Sequence, residues 1–541
     1  MATRRRARRS MVSTAPRILV PLVVLATGFS GCGLLRGDPP PMLPVNAPAN
    51  AKALEGIHEQ EPEWVDCEDR AGFQCTEITV PINYAEPDGD TMVVAVNRLP
   101  ATGKGRKLGA LVVLPPRLGE SGRDYLFSGE VTRNPTLKAL RQNYDLVSLD
   151  PRGVGASTAV TCLNDEEQES FYDTDLTPDT DKEHARAVAA VESYAEKCAE
   201  NSEGILPHVG IENVSRDLDI LRVALDQRKL NFLSWRQGAM IGQNYAAQYP
   251  QNVGRMVLDS VAVARPQANP ADAAIQRGEA MDAALEQIFE ACLRSGDTPC
   301  PIGGTVKEAE DNLDELLVKL ERRPVNALGD RKLTETRARI AALAAIADPA
   351  RNGPVFTMGV AEARRGHGQF LMSLADTYLR RGPDGVYSTE NASEYAVTCL
   401  IGVGSSRPSA ASESEEAAEV QNKRTASAMD AAASKASEES PHFGALGIYL
   451  DGPCAFWPVP PTTRHAEFRS NTKAPIVLVG RADDPRSPLE DLRRVNADLG
   501  SASLVVAGGD KTYGQGDSCV DQAVNAFLID GKRPEKEQRC P

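Results

Sequence analysis

At 541 residues, with 41% hydrophobic and 25% charged residues, the chain has room for one large α/β domain carrying an insertion, or for two domains; it is not a small module. Its formal net charge of −15 argues against nonspecific nucleic-acid binding, and no nucleic-acid partner is expected. No second long apolar run follows the N-terminal one, so a transmembrane span in the body is not expected either.

Arg4, Arg5, Arg6, Arg8, Arg9 and Arg17 lead into the apolar run 18–31, which is too short to span a bilayer and ends in small residues. That order is the pattern of a secretory signal peptide, here 1–31. Phe29-Ser30-Gly31-Cys32 resembles a bacterial lipobox, although leucine is commoner where Phe29 stands. Cys32 is therefore the expected lipidated first residue of the mature chain, which would sit on the outer face of the cell membrane. The competing reading is an ordinary signal peptide with an incidental cysteine. Removal of the six arginines takes the net charge to −21.

Residues 32–60, with Pro39-Pro40-Pro41 and several alanines, read as a flexible tether. Ten cysteines remain beyond Cys32, an even number that in an exported chain points to disulfides. Order along the chain offers neighbours as partners: Cys67 with Cys75, Cys162 with Cys198, Cys292 with Cys300, Cys399 with Cys454 and Cys519 with Cys540. Order alone does not fix connectivity. No Cys-x-x-Cys pair or Cys/His cluster at metal spacing occurs, so no metal or other cofactor is expected.

From 61 to 262, β-like runs at 92–99, 110–114, 144–149, 230–233 and 255–258 alternate with helical sequence. In 213–227, Leu218, Leu221 and Leu225 share one helical face. Strands alternating with helices imply a parallel sheet covered on both faces. Residues 263–460 are alanine- and charge-rich and read as a helical cap. Within it, 405–440 is low in complexity and is expected as a surface helix or a mobile loop. β-like runs return at 475–480 and 503–506, and 461–541 completes the core.

The stretch Leu230-Asn231-Phe232-Leu233-Ser234-Trp235-Arg236-Gln237-Gly238 reads as a strand entering a helix, the setting of a G-x-S-x-G nucleophile elbow. Ser234 replaces its first glycine, Arg236 replaces its serine, and Gly238 remains. An arginine cannot be deprotonated in a protein and so cannot attack a carbonyl. Ser234 precedes the turn that would expose a nucleophile, and Trp235 is expected to pack at the cap interface.

Further segments carry a resemblance: Asp145-Leu146-Val147-Ser148-Leu149-Asp150-Pro151-Arg152-Gly153, Asn213-Val214-Ser215-Arg216-Asp217, Val257-Leu258-Asp259, Cys454-Ala455-Phe456-Trp457-Pro458 and Asp517-Ser518-Cys519-Val520-Asp521. With the elbow, they resemble the actinobacterial tripeptidyl and prolyl aminopeptidase-like serine hydrolases. The resemblance implies an α/β-hydrolase fold with a large helical cap, over about residues 64–540. It also implies a triad whose nucleophile position is Arg236 and whose acid is Asp484, in Asp484-Pro485-Arg486-Ser487-Pro488. The triad histidine's position falls on Asp510 or Lys511. The six histidines are His58, His184, His208, His367, His442 and His465, so none follows Asp484 and no triad in that chain order can be completed. The implied oxyanion turn is Leu114-Pro115-Pro116-Arg117-Leu118-Gly119, where Pro116 has no N–H and Arg117 fills space that glycine would leave. The implied acidic anchor for a substrate amino terminus has become Ile401, in Cys399-Leu400-Ile401.

These replacements predict a catalytically inactive lipoprotein of the cell envelope, degenerate in its triad, that binds a peptide, a lipid or an envelope protein. The alternative is a working serine-type hydrolase or aminopeptidase with a non-standard constellation. A carboxylate buried without its histidine calls for a cation, so an ion pair between Asp484 and Arg236 or Lys511 is expected in the old active site. Arg152 is expected in structural ion pairs.

Overall fold

The computed structural model describes residues 54–541, apart from 69, 106, 263–269, 295–298, 403–414, 463–467, 485–486, 501 and 510 and the side chains of 130, 270 and 415–419. The expected signal peptide, Cys32 and residues up to 53 lie outside the described residues; 54–60, expected as flexible tether, are instead ordered on the domain, where Leu54 is buried, Glu55–His58 form a short helix and Gln60 hydrogen-bonds the Thr79 backbone. Twelve strands are described: β1 (Val65–Asp66), β2 (Gln74–Pro81), β3 (Thr91–Leu99), β4 (Gly109–Val113), β5 (Tyr144–Leu149), β6 (Leu230–Trp235), β7 (Val253–Asp259), β8 (Val325–Asn326), β9 (Lys332–Leu333), β10 (Ile476–Arg481), β11 (Ala502–Ala507) and β12 (Glu537–Cys540). All but β8 and β9 form one sheet, in the order β1-β2-β3-β5-β4-β6-β7-β10-β11-β12. The pairs β1/β2, β2/β3 and β3/β5 are antiparallel, and every pair from β5/β4 to β11/β12 is parallel.

The central strands are apolar on both faces because helices cover both. Alternate residues supply two separate cores, as the period-two geometry of a strand requires. Val112, Phe232, Leu258, Leu478 and Leu504 fill one, while Val113, Leu233, Val257, Val479 and Val505 fill the other. All seven expected strands occur, with ends shifted by at most two residues. β2, whose buried Thr76, Ile78 and Val80 alternate with exposed Glu77 and Thr79, is not among the expected runs, and the polar β12 carries too little apolar alternation to be read from sequence.

Between β7 and β10 lie the helices Pro270–Arg294, Val306–Arg322, Glu335–Ala347, Pro349–Arg364, Gln369–Tyr378, Glu390–Ile401, Glu415–Glu439 and Gly444–Leu450, with the small β8/β9 ribbon. Two more helices, Asp165–Asp173 and Asp181–Ser202, lie between β5 and β6 in the chain yet pack on these. Each opens on a capping box, Asn164 with Glu167 and Thr180 with Glu183. The low-complexity stretch is helical over Glu415–Glu439, where Thr425, Met429, Ala433 and Ala436 make a buried stripe at helical spacing. Its residues 405–414 lie outside the described ones.

Arg337, fully buried, binds the helix Asp165–Asp173 into the cap. Its guanidinium meets Asp173 at 2.5 Å and Glu169 at 2.8 Å, and Glu169 also receives Arg331 at 2.6 Å and Arg381 at 3.1 Å. A second ionic knot is His442, whose Nδ1 lies 2.8 Å from Asp282 and whose Nε2 lies 3.0 Å from Asp314, joining two cap helices. Burial disfavours its charge, but the hydrogen bonds to both carboxylates outweigh this and push its pKa up to about 9. Since the folded value exceeds the unfolded one, this contribution is complete below about pH 6.5 and lost as pH rises through about 9. Denaturation midpoints are therefore expected to fall between those pH values, and His442→Gln to flatten that segment of the profile; an unchanged slope would contradict this role.

Five disulfides join the ten cysteines: Cys67–Cys75, Cys162–Cys198, Cys292–Cys300, Cys399–Cys454 and Cys519–Cys540. Cys519–Cys540 ties the polar edge strand β12 to the helix Ser518–Asn525. Peptide mapping of the folded protein should recover none of these ten as free thiols. No helix among the described residues is long and apolar enough to cross a membrane.

Candidate active site at the nucleophile elbow

β6 ends at Trp235, and Arg236 follows with φ +50°, a left-handed conformation that is uncommon for a side-chain-bearing residue. Its surroundings hold it there. The N–H of Arg236 donates to the Asp259 carbonyl at 2.8 Å, and the Ala262 N–H donates to the Arg236 carbonyl at 3.2 Å. Gly238 opens the helix Gly238–Gln248, and a Cβ there would collide with the Pro115 carbonyl and the Ser234 hydroxyl. The elbow thus keeps the backbone geometry that presents a nucleophile, with an arginine in that place.

Arg236 Nη1 lies 3.7 Å from Asp484 Oδ2, and the side chains are 33% and 2% exposed. Arg236 is thus the cation that faces the retained acid. Lys511, the other cation considered, is exposed, and its ammonium lies near Gly516. Asp510 lies outside the described residues. Ser234 is fully buried and donates to the carbonyls of Leu114 at 3.0 Å and Pro115 at 3.3 Å, which keeps it from acting as a shifted nucleophile.

Trp235 corrects the expectation of cap packing. It packs with Tyr125 edge-on, ring centroids 6.1 Å apart, and its indole N–H donates to the Tyr513 carbonyl at 3.4 Å. It shares a strand face with Leu233, which points into the sheet's other core. Arg152 has the structural role expected: it is fully buried, with Nε 2.7 Å from Asp217 Oδ2 and Nη2 2.5 Å from Oδ1.

Asp259 was missed as a site residue. It closes β7 directly beside the elbow, in register with Trp235, and is fully buried. Its Oδ2 accepts the Tyr513 N–H at 3.0 Å and its Oδ1 the Ser260 hydroxyl at 2.8 Å. Burial pushes its carboxyl up to about 6, against the pull of Ser260, the Tyr513 N–H, the Thr512 hydroxyl and Arg236. The loop expected to present a histidine is instead fastened to this aspartate by Thr512 and Tyr513. The signal available in the sequence was an acid ending an apolar run, since sites in open α/β sheets gather at the carboxyl ends of strands.

The turn after β4 is rebuilt as well. The Pro116 carbonyl accepts the Gly238 N–H at 3.3 Å, and the Arg117 N–H donates to Glu120 Oε2 at 3.4 Å. The Arg117 N–H is thereby engaged within the turn rather than free to meet a developing oxyanion. Burial raises the Glu120 carboxyl to about 7, with Glu390 adding to the rise and Arg380 and Arg117 opposing it. Ile401, where an acidic anchor was implied, ends the helix Glu390–Ile401, two residues after the Cys399–Cys454 bridge.

A mostly parallel sheet, an elbow between β6 and a helix, an acid after β10 and a cap inserted after β7 together define an α/β-hydrolase fold. The family model described as "alpha/beta hydrolase fold" matches residues 110–338, and that described as "TAP-like protein" matches 440–540. The chain thus has the α/β-hydrolase fold, and its C-terminal part is similar to TAP-like proteins. It is 29% identical over 513 residues to the serine protease Hip1 of Mycobacterium tuberculosis, covering 91% of this chain and 93% of that protein. It is 27% identical over 493 residues to the tripeptidyl aminopeptidase of Streptomyces lividans, covering 88% and 86%. With carboxylesterase B of Mycobacterium tuberculosis it shares 26% identity over 540 residues, covering 95% and 98%.

Proposed function

We propose that this chain is a non-catalytic TAP-like α/β-hydrolase that serves as a binding protein of the cell envelope. The observation that carries the reading is Arg236, seated in the left-handed elbow and facing the buried acid Asp484. A guanidinium offers five donors and no nucleophile, and with its positive charge there the site lacks the base that a serine would need. The chain has no histidine after Asp484, and the Arg117 N–H in the turn after β4 is already engaged by Glu120. The relatives' names point to peptides or esters as the ancestral substrate class, so the ligand is a peptide, a lipid or an envelope protein, bound without turnover. Purified protein should cleave aminoacyl and tripeptidyl substrates no faster than buffer does. Turnover that co-purifies with the folded chain and vanishes in Asp484→Asn would instead support the non-standard hydrolase.

The same proposal places the protein at the outer face of the membrane through lipid on Cys32. The wild type is expected to partition into detergent, and Cys32→Ala to move the protein to the aqueous phase. A Cys32→Ala protein that stays lipid-modified would remove the anchor from the account.

A further inference from the structure

We infer that Arg117 bolts the cap helix Glu390–Ile401 onto the turn after β4, so that this part of the site is held shut by an autoinhibitory ionic contact. Arg117 Nη2 reaches Glu394 Oε2 at 2.6 Å, and its guanidinium lies over the Tyr378 ring at 5.7 Å from the centroid. Two residues further along the turn from Gly119, the Ser121 N–H donates to Glu390 Oε1 at 2.6 Å. Arg380 then joins both cap carboxylates, at 2.8 Å from Glu390 and 3.5 Å from Glu394, and does so from a left-handed backbone conformation, φ +53°. Two cations and two anions thereby span the two elements. Each of the four side chains is at least about two-thirds buried, so screening by solvent is reduced.

Shape supports the same conclusion as charge. Gly119, at φ +73°, lies so close beneath the helix that a Cβ would collide with the backbone of Ser393 and Glu394. The Ser393 hydroxyl donates to the Gly153 carbonyl at 2.5 Å, fixing the helix to the neighbouring loop as well. Beside this contact lies an apolar cavity of about 10 Å³ lined by Leu118, Ile211, Ile241 and Val397. That is room for about one water molecule, too little for a peptide in this cavity.

The inference depends on the proposed function only in treating this turn as the former oxyanion turn, and its test reads motion rather than catalysis. Hydrogen exchange on the full chain would compare the wild type with Arg117→Gln, with Glu390→Gln/Glu394→Gln, and with Gly119→Ala, which wedges the two elements apart. Each variant is expected to speed exchange about tenfold in peptides spanning 116–122 and 390–401, with the core strand β5 unchanged. Unchanged exchange in both segments would overturn the bolt, as would an increase spread evenly over the sheet. If the double variant does not fold, Arg117→Gln, at 36% side-chain exposure the mildest of the three, decides by the same criteria.

Discussion

Arg236→Ser alone should leave hydrolysis at background, even though the elbow already holds position 236 at φ +50° and would present the new hydroxyl correctly. A serine there would have no general base, because the chain has no histidine after Asp484, and Thr512 and Tyr513 fasten the neighbouring loop to Asp259. Loss of a triad histidine by itself removes a factor on the order of 10⁶ in kcat. The oxyanion donor expected from the turn after β4 is also engaged elsewhere, by Glu120, a loss of roughly 3–4 kcal/mol. The smallest set expected to restore measurable cleavage combines Arg236→Ser, Asp510→His or Lys511→His, Pro116→Gly and Arg117→Gly. Removing the Arg117 side chain serves two ends, since it also breaks the 2.6 Å contact with Glu394. Assay of the single and combined variants with tripeptidyl and aminoacyl substrates checks this, and full rescue by Arg236→Ser alone would contradict it.

Arg337→Ala should cost about 3–5 kcal/mol, the penalty for breaking a buried ionic network, because Asp173 loses its arginine, although Glu169 keeps Arg331 and Arg381 and Asp376 keeps Arg331. Arg337 is fully buried, whereas its partners Glu169, Asp173 and Asp376 keep 23%, 44% and 13% exposure. The partial exposure of Asp173 places the loss toward the lower end of that range. Arg337→Lys should fall only slightly less, because one ammonium cannot reach Asp173 and Glu169 with the geometry of a planar fork. Urea denaturation followed by circular dichroism measures the loss. Hydrogen exchange should show the helix Asp165–Asp173 loosening first, and a loss under about 1 kcal/mol would put the cap's attachment elsewhere.

Much of the core was legible because its strands obey a simple rule: parallel strands buried on both faces appear as short apolar runs. β6, β10 and β11 were found this way, and the elbow followed from a strand running straight into a helix around Gly238. The same alternation would have given the side taken by Trp235, two residues after Leu233, had it been followed to the end of the strand. Other features depend on contacts remote in sequence. Arg117 and Glu394 are 277 positions apart, and Arg337 reaches Asp173 across 164, so neither pair leaves a local pattern. The helices Asp165–Asp173 and Asp181–Ser202 look like ordinary core crossovers by sequence, and only their packing assigns them to the cap. Asp259 was hidden for a different reason: it stands within a segment that also shapes the scaffold, and its burial against Tyr513 becomes visible only once β7 and the following loop are brought together.

The central claim is that the fold is kept while the nucleophile is gone, and a fluorophosphonate probe tests it most directly. Purified, folded wild-type protein incubated with the probe and analysed by intact mass should show no adduct, alongside a serine hydrolase that labels to completion. Stoichiometric labelling of the wild type at any serine, mapped by peptide sequencing and abolished by substituting that serine, would contradict the account.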